Sequence, residues 1–326
     1  MNRIKLGIIG TNFVSDWLAE AAALTPDIDL TSVLSRSQEN GAAFAERHGI
    51  PHHFENIDRF LKSGLDAVYI AVPNSLHCEY TLRALCAGLH VLCEKPIASN
   101  RAEFTEMQKA ADSSGLVLLE ALRPAHDPAL DEIRRMICEI GTVRHASLVF
   151  CQYSSRYDRY REGEILRAFT PEFSNAAVMD IGVYPIHVCL RLFGYPTSAV
   201  MSRSVILPNG FEGAGEIIMP YDGMSVRISY SKIADSRAPS TVTGEDGEIT
   251  IDRMSAPGEI SLSLRSGAVR TVRFENPDGN MVHEVHEFCR LIRGGTNPHT
   301  AYSDMEMSIL DEVRRQNGIK FPADSL

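Results

Sequence analysis

Between Ile4 and Glu120 the chain repeats one pattern: a short apolar run, then a stretch of helix length with one apolar face. The runs are Ile4–Ile9, Asp29–Leu34, Ala67–Val72, His90–Cys93 and Leu116–Glu120. Between them lie Asp16–Leu24, Asn40–His48, Leu76–Ala87 and Ala102–Ser113. Gly49, Gly88 and Gly115 follow the last three of these stretches. A helix ends most easily on a left-handed residue, which glycine adopts without a Cβ penalty, so the glycines mark helix ends. Strand and helix in alternation predict a parallel sheet of βαβ units.

From about Leu122 the texture changes. Helical segments at Ala129–Glu139 and Ala176–Phe193 flank Val143–Phe150 and a polar stretch, Gln152 to Glu172, rich in Tyr and Arg. Beyond Gly194 come strand-like runs in succession: Ala199–Ile206, Gly213–Met219, Ser225–Tyr230, Thr241–Gly244, Glu248–Asp252, Ile260–Leu264 and Val269–Phe274. Turn residues between them predict a large open, mainly antiparallel sheet. Val282–Arg293 and Met305–Asn317 read as closing helices. With 326 residues, two domains are expected, 1–121 and 122–326.

Composition narrows the function. Thirty-two Lys and Arg against 42 Asp and Glu leave a net charge of −10, which argues against nucleic acid and anionic membrane as partners. Seven cysteines with no C-x-x-C spacing read as buried free thiols in a reducing cytoplasm. Glycines interrupt the first apolar run where a signal peptide needs continuity, and no 18-residue apolar run offers a membrane span.

The first strand runs into Gly7-Ile8-Ile9-Gly10-Thr11-Asn12-Phe13 ahead of a helix. A pyrophosphate needs such a tight glycine turn and bare amides at a helix N-terminus. Asn12 stands where the dinucleotide pattern has glycine, and a residue tolerant of positive φ could hold the same turn. The second strand ends in Ser35-Arg36. An NAD site places a ribose-binding carboxylate here; a hydroxyl and a guanidinium fit a 2′-phosphate, so NADP is expected, with NAD as the alternative. Further on stand Ala71-Val72-Pro73-Asn74-Ser75-Leu76-His77 and Glu94-Lys95-Pro96, the latter at a strand terminus where open α/β sheets bind ligands.

The Gly7 to Phe13 turn, Pro73-Asn74 with His77, and Glu94-Lys95-Pro96 together resemble the glucose–fructose oxidoreductase, inositol dehydrogenase and MocA-like (Gfo/Idh/MocA) family. The segment Ser174 to His187 is similar to that family's glycine-rich lead-in and Asp helix, and Thr243 to Ile249 to a strand-turn-strand of its second sheet. The resemblance implies a Rossmann domain, a C-terminal α+β domain with an open sheet, and hydride transfer between a nicotinamide and a secondary alcohol or ketone of a sugar, cyclitol or cyclic diol. The expected cofactor contacts are Gly7, Gly10, Thr11, Asn12, Phe13, Ser35, Arg36, Ala71, Pro73, Asn74, His77, Glu94, Lys95 and Arg167. Arg167 stands in Leu166-Arg167, where many members carry Trp-Arg; the missing Trp departs from a wall that stacks on sugar.

On a helix Asp180, Tyr184 and His187 are spaced i, i+4, i+7 and share a face. Reducing a carbonyl needs a proton carrier and a cation for the developing oxyanion. Lys95 suits the cation, with Asp180 to orient Lys95 or the substrate. The family's acid/base position, four after the Asp, is Tyr184 here, and a nearby Lys95 would lower its pKa from about 10. His187 is the rival carrier, its intrinsic pKa better placed; Pro185 is expected to bend the helix between them. The Tyr153 to Arg161 stretch reads as a substrate wall, a subunit contact or a solvated loop. No catalytic metal is expected: His283 and His286 lack zinc-helix spacing, and His52-His53 read as a connection. The other class of function open to this scaffold is a cofactor-sensing regulator without turnover. Alternation at Val226, Ile228 and Tyr230 suggests a sheet face for a homodimer or homotetramer.

Overall fold

The computed structural model describes residues 2–275 and 281–325. Its first strands and helices follow the alternation directly: β1 (Ile4–Ile9), α1 (Phe13–Ala23), β2 (Ile28–Leu34), α2 (Gln38–His48), β3 (His52–Phe54), α3 (Ile57–Leu61), β4 (Ala67–Ile70), α4 (His77–Cys86), β5 (His90–Glu94), α5 (Arg101–Ser114) and β6 (Leu118–Ala121). All neighbours in this sheet are parallel, in the order β3-β2-β1-β4-β5-β6. That is the doubly wound Rossmann order, in which the chain reverses direction across the sheet at β1/β4. His52 and His53 belong to the edge strand β3, not to a connection; three residues are too short for a periodic signal.

The chain continues through α6 (Arg123–His126), α7 (Pro128–Ile137), β7 (Val143–Cys151), α8 (Tyr157–Arg161), α9 (Val183–Phe193), β8 (Met201–Ile206), β9 (Glu212–Tyr221), β10 (Met224–Ser231), β11 (Ser240–Gly244), β12 (Gly247–Ile251), β13 (Glu259–Leu264) and β14 (Val269–Arg273). Strands β7 to β14 form one eight-stranded sheet, ordered β14-β13-β12-β11-β7-β10-β9-β8. Only β7 and β10 pair in parallel. The remaining helices are α10 (Val282–Ile292) and α11 (Thr300–Asn317).

The chain divides into two compact units, Met1–Leu122 with Pro277–Ser303, and Arg123–Asn276 with Asp304–Leu326. The return of α10 to the first unit departs from a simple cut near Leu122, and its apolar face explains it. Val285, Phe288, Cys289 and Leu291 are buried in one cluster with Leu18 and Ala22 of α1 and Leu6, Ile28 and Tyr69 of the sheet. Burying such a face is worth about 1.5–3 kcal/mol per large apolar side chain.

In the second unit Val226, Ile228 and Tyr230 are at most 1% exposed within the single chain. They face the core, packing under the turn Val178–Gly182 and α9, and so cannot supply an association face. The stretch Pro171–Phe193 is apolar and long enough to cross a bilayer, with a mean hydropathy of 1.4, against the expectation that no run reached that length. It lies in the core instead, 72% of its most apolar part being buried. All seven cysteines are free; Cys78, Cys93, Cys189 and Cys289 are buried, Cys151 is half-buried, and Cys86 and Cys138 are exposed, so the expected burial holds for four.

Candidate functional site

In the first unit the expected residues gather at the carboxyl ends of β1, β4 and β5. Gly10 has φ +110°, and a Cβ there would lie 2.3 Å from the carbonyl oxygen of Ala71. Only glycine fits both demands. Gly7 is held differently: its Cβ would lie 2.6 Å from the Phe60 ring. Asn12 does not take over glycine's positive φ. At φ −89° it is the N-cap of α1, accepting from the amides of Val14 and Ser15, while its Nδ2 donates to Ala71 O at 3.0 Å. A short amide side chain at a helix start satisfies these orphan donors better than a turn residue would. Asn12 thus joins the β1 turn to the end of β4. Thr11 lies within this turn, and Phe13 is 53% exposed, edge-on to Trp17.

Beyond β2, Ser35 is buried and its Oγ accepts from Ser37 N at 3.3 Å, shaping the turn, while Arg36 is exposed. Pro73 precedes a single turn of 3-10 helix, Asn74–Leu76. His77 is 1% exposed; its Nδ1 lies 2.8 Å from Pro96 O and its Nε2 3.0 Å from Val72 O. Burial pushes its pKa down to about 4. We assign the one proton of the neutral ring to Nδ1, the closer contact. His77 therefore donates to Pro96 O and holds the Glu94-Lys95-Pro96 turn. Glu94 is buried as well: it accepts from Tyr69 Oη at 2.5 Å and from the Lys95 amide at 3.3 Å. Burial, with the Glu94 carboxylate beside it, raises the Tyr69 pKa well above the usual range for a phenol. Glu120, also buried, accepts from Ile97 N at 3.0 Å and from Ser303 Oγ at 2.6 Å. Lys95 rises from this braced turn half-buried.

In the second unit the expected helical face is broken. Val178–Gly182 is a π turn, and α9 begins at Val183. Pro185 has no N–H to offer the carbonyl of Ile181 four residues before it, which favours a wider turn there. The i, i+4, i+7 spacing therefore does not hold as on a regular helix, and the three polar groups have different surroundings. Asp180 is half-buried and pairs through Oδ2 with Lys232 Nζ at 2.6 Å. Tyr184, also half-buried, is held edge-on by Phe150 with ring centroids 5.4 Å apart. His187 is 2% exposed, its Nδ1 2.6 Å from Glu306 Oε2 in the interior. Arg167 is exposed and lies 5.8 Å over the Phe173 ring. Ser174, where a glycine run was expected, takes a left-handed φ of 57° while fully buried.

Glu212 was not anticipated. It is fully buried at the start of β9 and accepts from Val178 N at 2.8 Å, Tyr230 Oη at 2.7 Å and Ser204 Oγ at 3.0 Å. A carboxylate from a neighbouring strand thus supplies the cap that the π turn lacks. Desolvation pushes its pKa up to about 7 against these hydrogen bonds.

Residues 4–122 match the family described as oxidoreductase, NAD-binding Rossmann fold (GFO_IDH_MocA), and residues 131–250 match the GFO/IDH/MocA C-terminal domain. The chain is 41% identical, over 98% of its length and 99% of the relative's, to scyllo-inositol 2-dehydrogenase (NADP(+)) IolU of Bacillus subtilis.

The chain belongs to the Gfo/Idh/MocA oxidoreductase family.

Other members of the family are similar along nearly the whole chain. The uncharacterized oxidoreductase YgjR of Escherichia coli is 36% identical over 99% of both chains. Among solved folds, KijD10, a 3-ketoreductase from Actinomadura kijaniata with NADP and TDP-benzene bound, superposes with a TM-score of 0.84 at 22% identity, over 97% of this chain and 98% of that one. Levoglucosan dehydrogenase, with NADH and levoglucosan, gives 0.85 at 20% identity over the same shares. These two show the shared Gfo/Idh/MocA architecture. Within that architecture sequence reasoning passed over Lys232, although a signal existed: Lys232 continues the inward parity of Val226, Ile228 and Tyr230, and a lysine at a core-facing position calls for a partner.

Proposed function

We propose that this oxidoreductase moves a hydride between NADP and a secondary alcohol or ketone of a cyclitol, sugar or cyclic diol. The observation that carries the reading is that Lys95, Asp180 and Tyr184 are all present in a chain 41% identical, end to end, to an NADP-dependent scyllo-inositol 2-dehydrogenase. The bound nicotinamide accepts or supplies the hydride. The tight turn that Gly10 permits between β1 and α1 places a pyrophosphate at the start of α1, and Arg36 offers its guanidinium fork to a 2′-phosphate.

Lys95 stabilises negative charge developing on the substrate oxygen, Tyr184 passes the hydroxyl proton, and Asp180 accepts hydrogen bonds from the substrate. Tyr184 is preferred to His187 because the phenol is half-buried whereas the imidazole lies in the interior on Glu306. The enzyme acts in the cytoplasm. It self-associates as a homodimer or homotetramer through the outer face of the eight-stranded sheet, where Met201 and Val205 are more than half exposed.

The test is turnover of scyllo-inositol, its keto form, other cyclitols and free sugars with NADP and with NAD. Lys95→Ala is expected to lower kcat by about 10²–10³; wild-type turnover in that variant refutes the mechanism. Arg36→Ala is expected to weaken NADP by about tenfold or more while leaving NAD alone. Equal losses for the two cofactors refute the 2′-phosphate assignment.

A further inference from the structure

Lys232 follows the last residue of β10, with its amide still donating to Gly213 O at 2.8 Å. Its side chain is 7% exposed, yet it carries an ammonium. Burying a charge is costly unless the surroundings answer it. Here the answer is specific: Nζ donates to Ala168 O at 3.2 Å and stands 5.0 Å from the Phe169 ring centroid and 5.4 Å from that of Phe211. Both rings are fully buried, and Phe169 is backed by Tyr157 and Tyr160, stacked on it at 5.7 and 5.4 Å. Two aromatic faces and a carbonyl thus fix the cation in place. Its anionic partner is Asp180, whose side chain stays 40% exposed with Oδ2 at 2.6 Å from Nζ. A cation fixed from behind, paired with a carboxylate that stays 40% exposed, is an arrangement that sets the direction of the carboxylate.

We propose that Lys232, seated in the Phe169/Phe211 box, is a positioning residue that locks the Asp180 carboxylate in the orientation in which it accepts hydrogen bonds from the hydroxyls of a polyol substrate. The inference rests on the activity proposed above. It also gives a place to the Tyr153 to Arg161 stretch: Tyr157 and Tyr160 support the box that holds Lys232. Tyr160 Oη is itself tied to Asn209 at 2.9 Å, and Asn209 Nδ2 to Phe169 O at 2.8 Å.

The test is a double-mutant cycle on the full-length enzyme with NADP and scyllo-inositol. Lys232→Met is expected to lower kcat at least ~10-fold, with the KM for NADP within about twofold of wild type, and Lys232→Arg to recover part of that loss. In an Asp180→Asn background the same Lys232→Met change is expected to cost less than about twofold, because there is no carboxylate left to orient. Equal losses in both backgrounds, or a folded Lys232→Met enzyme at wild-type kcat, overturn the proposal. If the methionine variant fails to fold, Lys232→Arg, which keeps the charge but moves it, carries the same cycle with the same outcomes.

A wild type inert toward every cyclitol and sugar would refute the proposed activity instead. The pair is then read without substrate, from the 13C carboxyl resonance of Asp180 identified by its loss in Asp180→Asn. That resonance is expected to move when Lys232→Met removes the ammonium beside the carboxylate; an unchanged resonance overturns the pairing.

Discussion

A methyl group at position 10 has nowhere to go. The backbone there is at φ +110° and the Ala71 carbonyl oxygen stands 2.3 Å from where a Cβ would lie, so relief requires two strand ends to separate. Gly10→Ala is expected to cost at least ~2 kcal/mol in chemical denaturation and to abolish NADP binding by fluorescence titration. Gly115→Ala is the control. Its φ is +64° with nothing within 4 Å of the added carbon, and a loss of about 1 kcal/mol with intact cofactor binding is expected. Single residues were legible in the sequence where chemistry and spacing coincide, as at Gly10, whose positive φ the turn requires. Asn12 was legible as an exception to a glycine pattern but not as a cap, because the choice between the two depends on which amide its side chain reaches. The partner of Asp180 was hidden for the same reason: Lys232 lies 52 positions away in sequence, and only the pairing of β9 with β10 over the π turn brings it near.

At the scale of elements, the βα alternation predicted most of the first sheet and glycine placed the ends of its helices, while the three-residue β3 was too short to register. The π turn was not legible either. It arises from Pro185 removing one donor and from Glu212, far along the chain, capping Val178. This cap has a pH dependence. The pKa of Glu212 rises to about 7 in the fold from an ordinary 4.5, so between these values the folded chain binds more protons than the unfolded one. Stability from this group is fully present below about pH 4.5 and is lost as pH rises through about 7. Glu212→Gln removes the titration. Its stability relative to wild type is expected to improve by on the order of 3 kcal/mol from pH 4 to pH 8, read by urea denaturation at each pH. A pH-independent difference would mean that Glu212 does not titrate in this window.

For the molecule as a whole, the net charge of −10 repels anionic substrates and leaves neutral ones unaffected. A phosphorylated polyol is expected to show a lower kcat/KM than its neutral parent at low ionic strength, with the gap narrowing as salt shortens the Debye length from about 30 Å at 0.01 M to 10 Å at 0.1 M. A gap that ignores salt would place the discrimination in local contacts, with exposed arginines such as Arg156 and Arg167 the first to vary. Self-association is checked by light scattering, where at least twice the 36.0 kDa chain mass is expected; the mass of a single chain at working concentration rules it out. The apolar stripe first read as a contact face turned out to be core, because alternation shows that a strand has two faces without showing which one the helices cover.

The course of the chain also sets the order in which the protein can be made. Leu6, Ile28 and Tyr69 leave the ribosome early, but Val285, Phe288 and Leu291, which complete their cluster, follow only after the whole second sheet has been synthesised. At about 5–20 residues per second, the interval between Leu122 and Ser303 lasts roughly 10–35 s. For that time the nascent N-terminal half presents an open apolar groove, a natural client for chaperones, and a gene fragment ending near Leu122 would encode that unfinished state permanently.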